Sequence, residues 1–312
     1  MNTLKPSLSV ILNTHNPRMD FLQRTLVGLQ AQTLPHAEWE LILVDNASDQ
    51  PLIDRVNLAW HPFARVVLEN ELGLTLARLC GIHEAQGPVI MFVDDDTILA
   101  NDYLKNAKDI GDQWPTIGAW GGSINAEFEG VLPPWIDRYR HLLGDRPLKR
   151  DSWSNAYCWS EATPGGTGIC MRRKVAEFFA QKCLDPNHRT LGRRGKALTS
   201  GEDGDMAYCA MDLGFGTARF VCLQMTHLVA ATKLTEEYVL RLREAIVISS
   251  VLLNQLRPET RQTNPIHRLG PLGWILFWRE WLRVDHFSRR EMLVIRRAEH
   301  RAWQMVHEMG LE

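Results

Sequence analysis

The chain has 312 residues, a formal net charge of −2, and 45% hydrophobic and 23% charged residues. This balance is ordinary for a globular protein and gives no sign of nucleic acid as a partner. The sequence shows no apolar leader and no run of the roughly 18 apolar residues that span a bilayer. Its six cysteines are scattered and form no CxxC pair. These features predict a cytoplasmic protein, either free or peripherally bound at the inner face of the membrane.

Short apolar runs alternate with amphipathic segments along the first hundred residues. The pattern predicts strands at residues 7–13, 40–44, 64–68 and 89–93, and helices at residues 20–32 and 74–85. This alternation indicates an α/β fold with a mainly parallel, mixed sheet flanked by helices. After an irregular stretch, a helix is predicted at residues 235–253, with Thr235 as its N-cap.

Aspartates follow the predicted strands at their carboxyl ends, the edge at which open α/β sheets bind ligands. Asp45 ends the second strand, and Asp94, Asp95 and Asp96 end the fourth. Three adjacent carboxylates repel one another, so they need either full solvation or a bound cation. The first alternative is a solvated turn, and the second is a Mg²⁺ or Mn²⁺ site that holds a diphosphate.

Five segments, in order, resemble motifs of family-2 glycosyltransferases with the GT-A fold. They are residues 10–16, 43–49 (LVDNASD), 70–78, 92–104 (with the DxD motif) and 201–205 (GEDGD). The resemblance runs from about residue 7 to about residue 227 and implies a bacterial-type, inverting enzyme. It implies a GT-A-like catalytic domain at 1–233, with a nucleotide-binding half at 1–104 and an acceptor-side half at 105–233. Residues 234–312 then form a helical C-terminal extension.

The resemblance also implies a role for each matching residue. Asp203 would be the general base, supported by Glu202, and Asp96 would ligate the metal. The donor nucleotide would be bound by residues at or just after strand ends and by one residue of the helix at 74–85: Thr14, Asn16, Asp45, Arg78, Asp94 and Asp95. The family usually has Asn after the Ala-Arg pair, where this chain has Leu79.

Further positions keep two interpretations each. His227 is either a metal or diphosphate ligand, as its place in the family implies, or a structural histidine. Gly122 and Gly166 either allow a sugar to approach the backbone closely or form turns. Trp135 either stacks on a sugar or packs in the core.

The carboxyl-terminal tail is rich in tryptophan and arginine. Trp274, Trp278 and Trp281 recur at helical spacing near Arg279 and Arg283, followed by Arg289 and Arg290. Such a stripe either lies on an anionic membrane surface, or packs on the catalytic domain or on a second subunit in a homodimer.

The sequence therefore predicts a metal-dependent glycosyltransferase that uses a nucleotide-sugar donor, with UDP favoured over other nucleotides. The acceptor is a hydroxyl group, on a glycan or a lipid-linked molecule, in polysaccharide or glycoconjugate synthesis. A sugar nucleotidyltransferase and a non-catalytic nucleotide-sugar-binding protein are the alternatives.

Overall fold

The computed structural model describes residues 5–189, 191–193, 195, 198–199, 201–260, 278–279 and 281–311. Within these ranges, nine strands form one mixed sheet. The strands are β1 (Leu8–Thr14), β2 (Trp39–Asn46), β3 (Ala64–Glu69), β4 (Val89–Asp94), β5 (Thr97–Leu99), β6 (Ile117–Phe128), β7 (Ser152–Ser154), β8 (Cys170–Arg172) and β9 (Gly216–Val229).

One half of the sheet is parallel, with strand order β3-β2-β1-β4. Every residue of β1 and β2 is buried, because helices cover both faces of these central strands. Burial on both faces explains why the two strands read as continuous apolar runs. The chain moves outward from β1 to β3 and then crosses back to place β4 on the other side of β1. The switch point of the sheet therefore lies between β1 and β4.

The other half of the sheet mixes strand directions. β8 is antiparallel to both β4 and β6, and the long strand β9 is parallel to β6 but antiparallel to β5 and β7. The predicted mixed, mainly parallel sheet flanked by helices is confirmed.

The described α-helices are α1 (Met19–Gln30), α2 (Leu74–Glu84), α3 (Tyr103–Gln113), α4 (Arg173–Lys182), α5 (Pro186–Arg189), α6 (Glu202–Asp212), α7 (Glu236–Leu256) and α8 (His286–Glu308). Of these, α1, α2 and α7 lie close to the three helices predicted from the sequence. The predicted cap of α7 is present, since the Thr235 hydroxyl accepts a hydrogen bond from the backbone N–H of Tyr238 at 3.2 Å.

The carboxyl-terminal helices α7 and α8 pack against each other and against the rest of the protein. α8 buries Phe287, Ala298 and Val306 in two apolar clusters shared with α7. Of the predicted tryptophan stripe, Trp281 lies with its ring centroid 4.7 Å from the Arg289 guanidinium, while Trp274 lies outside the described residues. Among the helices that the structure describes, none has the length and apolarity to cross a bilayer.

A buried arginine joins the end of α7 to α6. Arg257, the residue after α7, is fully buried and donates to Asp205 at 2.5 Å and to Asp212 at 2.7 Å. His188 contacts the other Asp205 oxygen at 3.0 Å. The two aspartates have lowered pKa values, because hydrogen bonds and the charge of Arg257 outweigh the effect of burial. This network fixes α7 against α6.

Replacing Arg257 with methionine should therefore destabilise the protein strongly. Arg257→Met leaves the buried Asp205 without its guanidinium partner and Asp212 with Lys182 alone, so we expect the free energy of unfolding to fall by about 3–5 kcal/mol. Chemical denaturation measures it. The control is Arg301→Met, since Arg301 pairs with Glu244 at 3.5 Å and its side chain is 66% exposed; it should change stability by less than about 1 kcal/mol. Equal stabilities of the two variants would contradict the role of Arg257.

Candidate active site

A cavity of about 880 Å³ opens at the carboxyl edge of the parallel strands. Its walls come from the ends of β1 and β4, the first turn of α2, the loop at residues 165–167, the start of α6 and one face of α7. Of the residues predicted from the sequence, nine line this cavity: Thr14, Arg78, Asp94, Asp95, Asp96, Gly166, Glu202, Asp203 and His227. The structure therefore brings together side chains that are up to 213 positions apart in the chain (14 to 227).

The three consecutive aspartates have different surroundings. The Asp95 carboxylate accepts a hydrogen bond from the Thr14 hydroxyl, while burial and the neighbouring charge of Asp96 raise its pKa to about 7. Burial also raises the pKa of Asp94, against the opposing charge of Arg78. The backbone N–H of Asp94 donates to the Thr167 hydroxyl at 3.1 Å, which ties β4 to the loop at residues 165–167.

Asp96 faces two basic side chains. Its Oδ2 lies 3.4 Å from Nε2 of His227 and 3.1 Å from Nζ of Lys233. Burial opposes ionisation, but the charges and hydrogen bonds of His227 and Lys233 outweigh burial and lower the pKa of Asp96. Asp96 is therefore the carboxylate of the three that is held ionised.

His227 is oriented as a metal-binding histidine would be. Its Nδ1 lies 3.0 Å from the backbone carbonyl oxygen of Leu143. Because a carbonyl oxygen can only accept, Nδ1 carries the proton in the neutral ring, and the lone pair of Nε2 points to Asp96. With the ring neutral, Nε2 and the Asp96 carboxylate are two acceptors that face each other, and such a pair fits a shared divalent cation. With the ring protonated, Nε2–H would instead donate to Asp96.

The protein atoms supply only part of such a site. In the described ranges no group of three or more His, Cys, Asp and Glu side chains is arranged to hold a metal ion. Mg²⁺ and Mn²⁺ sites in phosphate-handling enzymes commonly use one or two protein ligands together with substrate phosphates and water. The pair of Asp96 and His227 fits that kind of site, in which the ion binds together with a diphosphate.

Arg78 lies at the floor of the cavity among acidic side chains. Only 3% of its surface is exposed, and its Nη1 lies 3.3 Å from Oε1 of Glu202. This ion pair lacks hydrogen-bond alignment, since neither carboxylate oxygen of Glu202 has a hydrogen-bond partner. Burial disfavours the charge on Arg78, but Glu202, Asp94 and Asp203 more than offset that effect and raise its pKa.

Asp203 is the second residue of α6 and lies close to Arg78 in the cavity wall. Burial raises its pKa, while the guanidinium groups of Arg78 and Arg146 oppose the rise. Its Oδ1 accepts a hydrogen bond from the backbone N–H of Gly204 at 3.1 Å. A side chain at Gly166 would place Cβ 2.8 Å from Arg78 Nη2 and 3.6 Å from Asp203 Cβ, so the absence of one keeps this part of the cavity open. A carboxylate whose pKa is raised above the ordinary range suits proton transfer.

Two predicted nucleotide contacts lie away from the cavity lining. The Asp45 carboxylate accepts from the backbone N–H groups of Ser48 at 3.2 Å and Leu52 at 2.9 Å, so it closes the turn after β2. Asn16 has an exposed side chain that bonds Asp49 in the same turn. In the structure, Asp45 and Asn16 thus hydrogen-bond within the turn after β2 and lie outside the cavity that the other predicted nucleotide contacts line.

Two predicted sugar contacts, Gly122 and Trp135, also lie outside the cavity lining. A Cβ on Gly122 would lie 1.8 Å from the carbonyl oxygen of Leu223, so this glycine allows β6 to approach β9 where their register shifts. Trp135 packs its ring 5.2 Å from that of Phe287, centroid to centroid, and 6.2 Å from that of Tyr139. Gly122 therefore serves the pairing of β6 with β9, and Trp135 packs in the apolar cluster that includes Phe287.

Several cavity residues were not predicted from the sequence. Asn13 precedes Thr14 at the end of β1, and Lys233 follows β9. Trp159 is half exposed, with the Arg146 guanidinium 4.8 Å from its ring centroid. Asn13 resembles any polar residue at a strand end, and Trp159 and Lys233 reach the cavity through tertiary packing, so the sequence pattern singled out none of the three.

The buried pair of Arg78 and Glu202 can be tested by a double-mutant cycle. Arg78→Met leaves buried carboxylates without their cationic partner and should lower the free energy of unfolding by about 3–5 kcal/mol. Adding Glu202→Leu removes one of these unpaired carboxylates, so the double variant should be more stable than the sum of the single effects predicts. Chemical denaturation of the four proteins measures this coupling, and strictly additive effects would contradict the pairing.

Comparison with known proteins gives a family match. The model of the family described as "Glycosyl transferase family 2" matches residues 9–177, more than half of the chain. One relative is the Bacillus subtilis protein TuaG, which is described as a teichuronic acid biosynthesis glycosyltransferase. It is 31% identical over 153 residues, which are 48% of this chain and 60% of TuaG. Polypeptide N-acetylgalactosaminyltransferase 3 of Drosophila melanogaster is 35% identical over 94 residues, 28% of this chain and 14% of that protein.

A solved structure shares the fold. The crystal structure of S. aureus TarS superposes with a TM-score of 0.51 at 16% sequence identity, and the match covers 91% of this chain and 47% of TarS. At this identity the likeness concerns the fold alone. The chain thus spans less than two thirds of the length of each of these relatives.

Proposed function

The chain belongs to glycosyl transferase family 2 and is a glycosyltransferase, and from that premise we propose that it transfers a sugar from a nucleotide diphosphate donor to a hydroxyl acceptor with inversion. Family membership favours this reaction over a sugar nucleotidyltransferase and over a non-catalytic binding protein. The observation that carries the proposal is that Asp94, Asp96 and Asp203 line one cavity at the switch point of the sheet.

Asp203 is proposed as the general base. It would take the proton of the acceptor hydroxyl while the oxygen attacks the anomeric carbon of the donor. The bond from that carbon to the diphosphate oxygen breaks, and its electron pair leaves with the diphosphate. Since one displacement occurs, the anomeric configuration inverts. Glu202, paired with Arg78, would position the start of α6 rather than exchange a proton itself.

The departing diphosphate needs positive charge nearby. Asp96 and His227 are the residues that would hold Mg²⁺ or Mn²⁺, and a bound cation would neutralise the charge that gathers on the diphosphate. Lys233, with Nζ 3.1 Å from Asp96, adds a positive charge of the protein's own at the same place. Asp94, opposite Asn13 in the strand register, is proposed to accept hydrogen bonds from the ribose.

The choice of donor, acceptor and location extends the proposal. UDP remains the proposed nucleotide. The teichuronic acid name of TuaG supports a polysaccharide or glycoconjugate as the product, with a glycan or lipid-linked acceptor. The six cysteines are all free thiols, which supports the cytoplasm as the compartment. Contact with the inner face of the membrane, or a homodimer, through the carboxyl-terminal region also stays a proposal.

The metal assignment predicts a coupled loss. With Mn²⁺ or Mg²⁺ present, UDP should raise the melting temperature of the unmutated protein, and a screen of UDP-, dTDP- and GDP-sugars should identify donors by the nucleotide diphosphate released. Asp96→Ala and His227→Ala should each abolish the dependence of both signals on the cation. As a control, Asp137→Ala removes a carboxylate that is exposed and lies outside the cavity lining. Metal-dependent transfer at the unmutated rate by Asp96→Ala would refute the assignment.

The general base predicts a pH dependence with a defined sign. Because burial raises the pKa of Asp203, kcat/KM should fall toward acidic pH, with an apparent pKa above the 3.8 of an ordinary aspartate. Arg146 opposes that rise, so Arg146→Gln should move the acidic limb to higher pH. Asp203→Asn should lose about 10²–10⁴-fold in kcat while still binding nucleotide. Equal pH profiles in the unmutated protein and in Arg146→Gln would contradict the assignment of the limb to Asp203.

A further inference from the structure

Asn13 is a buried amide without a partner. It is 5% exposed, and neither Oδ1 nor Nδ2 has a hydrogen-bond partner. It lines the cavity at the end of β1. A buried amide left unpaired is unfavourable, and such groups in proteins call for an explanation such as a missing ligand.

The position of Asn13 is at the switch point of the sheet. In the strand register it lies opposite Asp94 of β4 on one side and Val44 of β2 on the other. Side chains alternate along a strand, so Asn13 shares the face of Ser9 and Ile11, and Ile11 packs in the cluster that includes Ala77 of α2. Asn13 therefore faces the first turn of α2.

Two polar side chains beside Asn13 are already hydrogen-bonded. Asn46 donates to the carbonyl oxygens of Glu69 and Glu71 and accepts from the N–H of Gly73. Thr14 donates to Asp95. Along the start of α2 the lining is apolar at Leu72, Leu74 and Ala77, before Arg78. This end of the cavity thus combines apolar side chains with the unpaired amide of Asn13.

We propose that the Asn13 amide pairs with the hydrogen-bonding edge of the donor's nucleobase. This inference rests on the proposed function and deepens it, because it names the residue that contacts the base. A flat heterocycle suits the apolar side chains, and an edge with a donor next to an acceptor suits an amide. With uracil, Oδ1 of Asn13 accepts from N3–H while Nδ2 donates to the adjacent carbonyl oxygen. Thymine offers the same edge, so Asn13 pairs with either.

The test compares two buried polar residues on one face of β1. Ser9 is fully buried and fully bonded, since it donates to Glu40 at 2.7 Å and accepts from Gly87 N–H at 2.8 Å. Asn13→Leu should weaken binding of UDP about tenfold to a hundredfold, leave the affinity for pyrophosphate unchanged, and not lower the melting temperature of the ligand-free protein. Ser9→Ala should lower that melting temperature and leave UDP affinity unchanged.

Isothermal titration calorimetry with UDP, dTDP, GDP, CDP and pyrophosphate measures the affinities, and Asn13→Ala replaces the leucine variant if the latter does not fold. An unchanged nucleotide affinity in the Asn13 variant overturns the inference while nucleotide binding by the unmutated protein keeps the proposed function intact. An equal loss for pyrophosphate also overturns it, because Asn13 would then act on the phosphates. If the unmutated protein binds none of these nucleotides, both the inference and the proposed function fail.

Discussion

The site depends on one buried guanidinium. Arg78 holds Glu202 at 3.3 Å and lies close enough to Asp94 and Asp203 for its charge to affect their pKa values. Burial raises the pKa of all three acids, which shows how unfavourable their ionisation would be without a fixed cation. Arginine suits this position because it stays protonated under all ordinary conditions. Through Arg78, carboxylates from β4 and from α6 can occupy one cavity.

A second buried guanidinium fixes α6 from its other side. Glu202 and Asp203 begin this helix and face Arg78, whereas Asp205 and Asp212 bind Arg257 at the end of α7. The helix that carries the proposed base is thus held between two cations from distant parts of the chain. Since α7 also lines the cavity, the carboxyl-terminal helices are part of the site's construction rather than an appendage to the sheet.

The sequence predicted the elements well where burial leaves a clear pattern. β1, β2 and β4 are apolar almost throughout because both faces of the sheet are covered, and their bounds differ from prediction by two residues or fewer. The direction in which side chains point after a strand end was harder to predict than the strands themselves. Asp45 was predicted at the nucleobase, but its carboxylate closes a turn in which Ala47 has φ 53°, and no periodicity encodes that turn. Asn13 was missed because a single amide in an apolar run resembles any strand end.

The two ends of the cavity have different origins in the chain. The family match ends at residue 177, so it includes Asn13, Arg78 and the three aspartates after β4, which form the proposed donor side. Asp203, His227 and Lys233 follow that limit, as do Leu242 and Ile246, which α7 places in the wall one turn apart. The proposed donor site therefore draws on both parts, because His227 and Lys233, which would meet the diphosphate, lie beyond the matched residues, as do the proposed base and the wall of α7. The acceptor hydroxyl of the proposed reaction must lie beside Asp203, so the acceptor would be met by the second part of the chain.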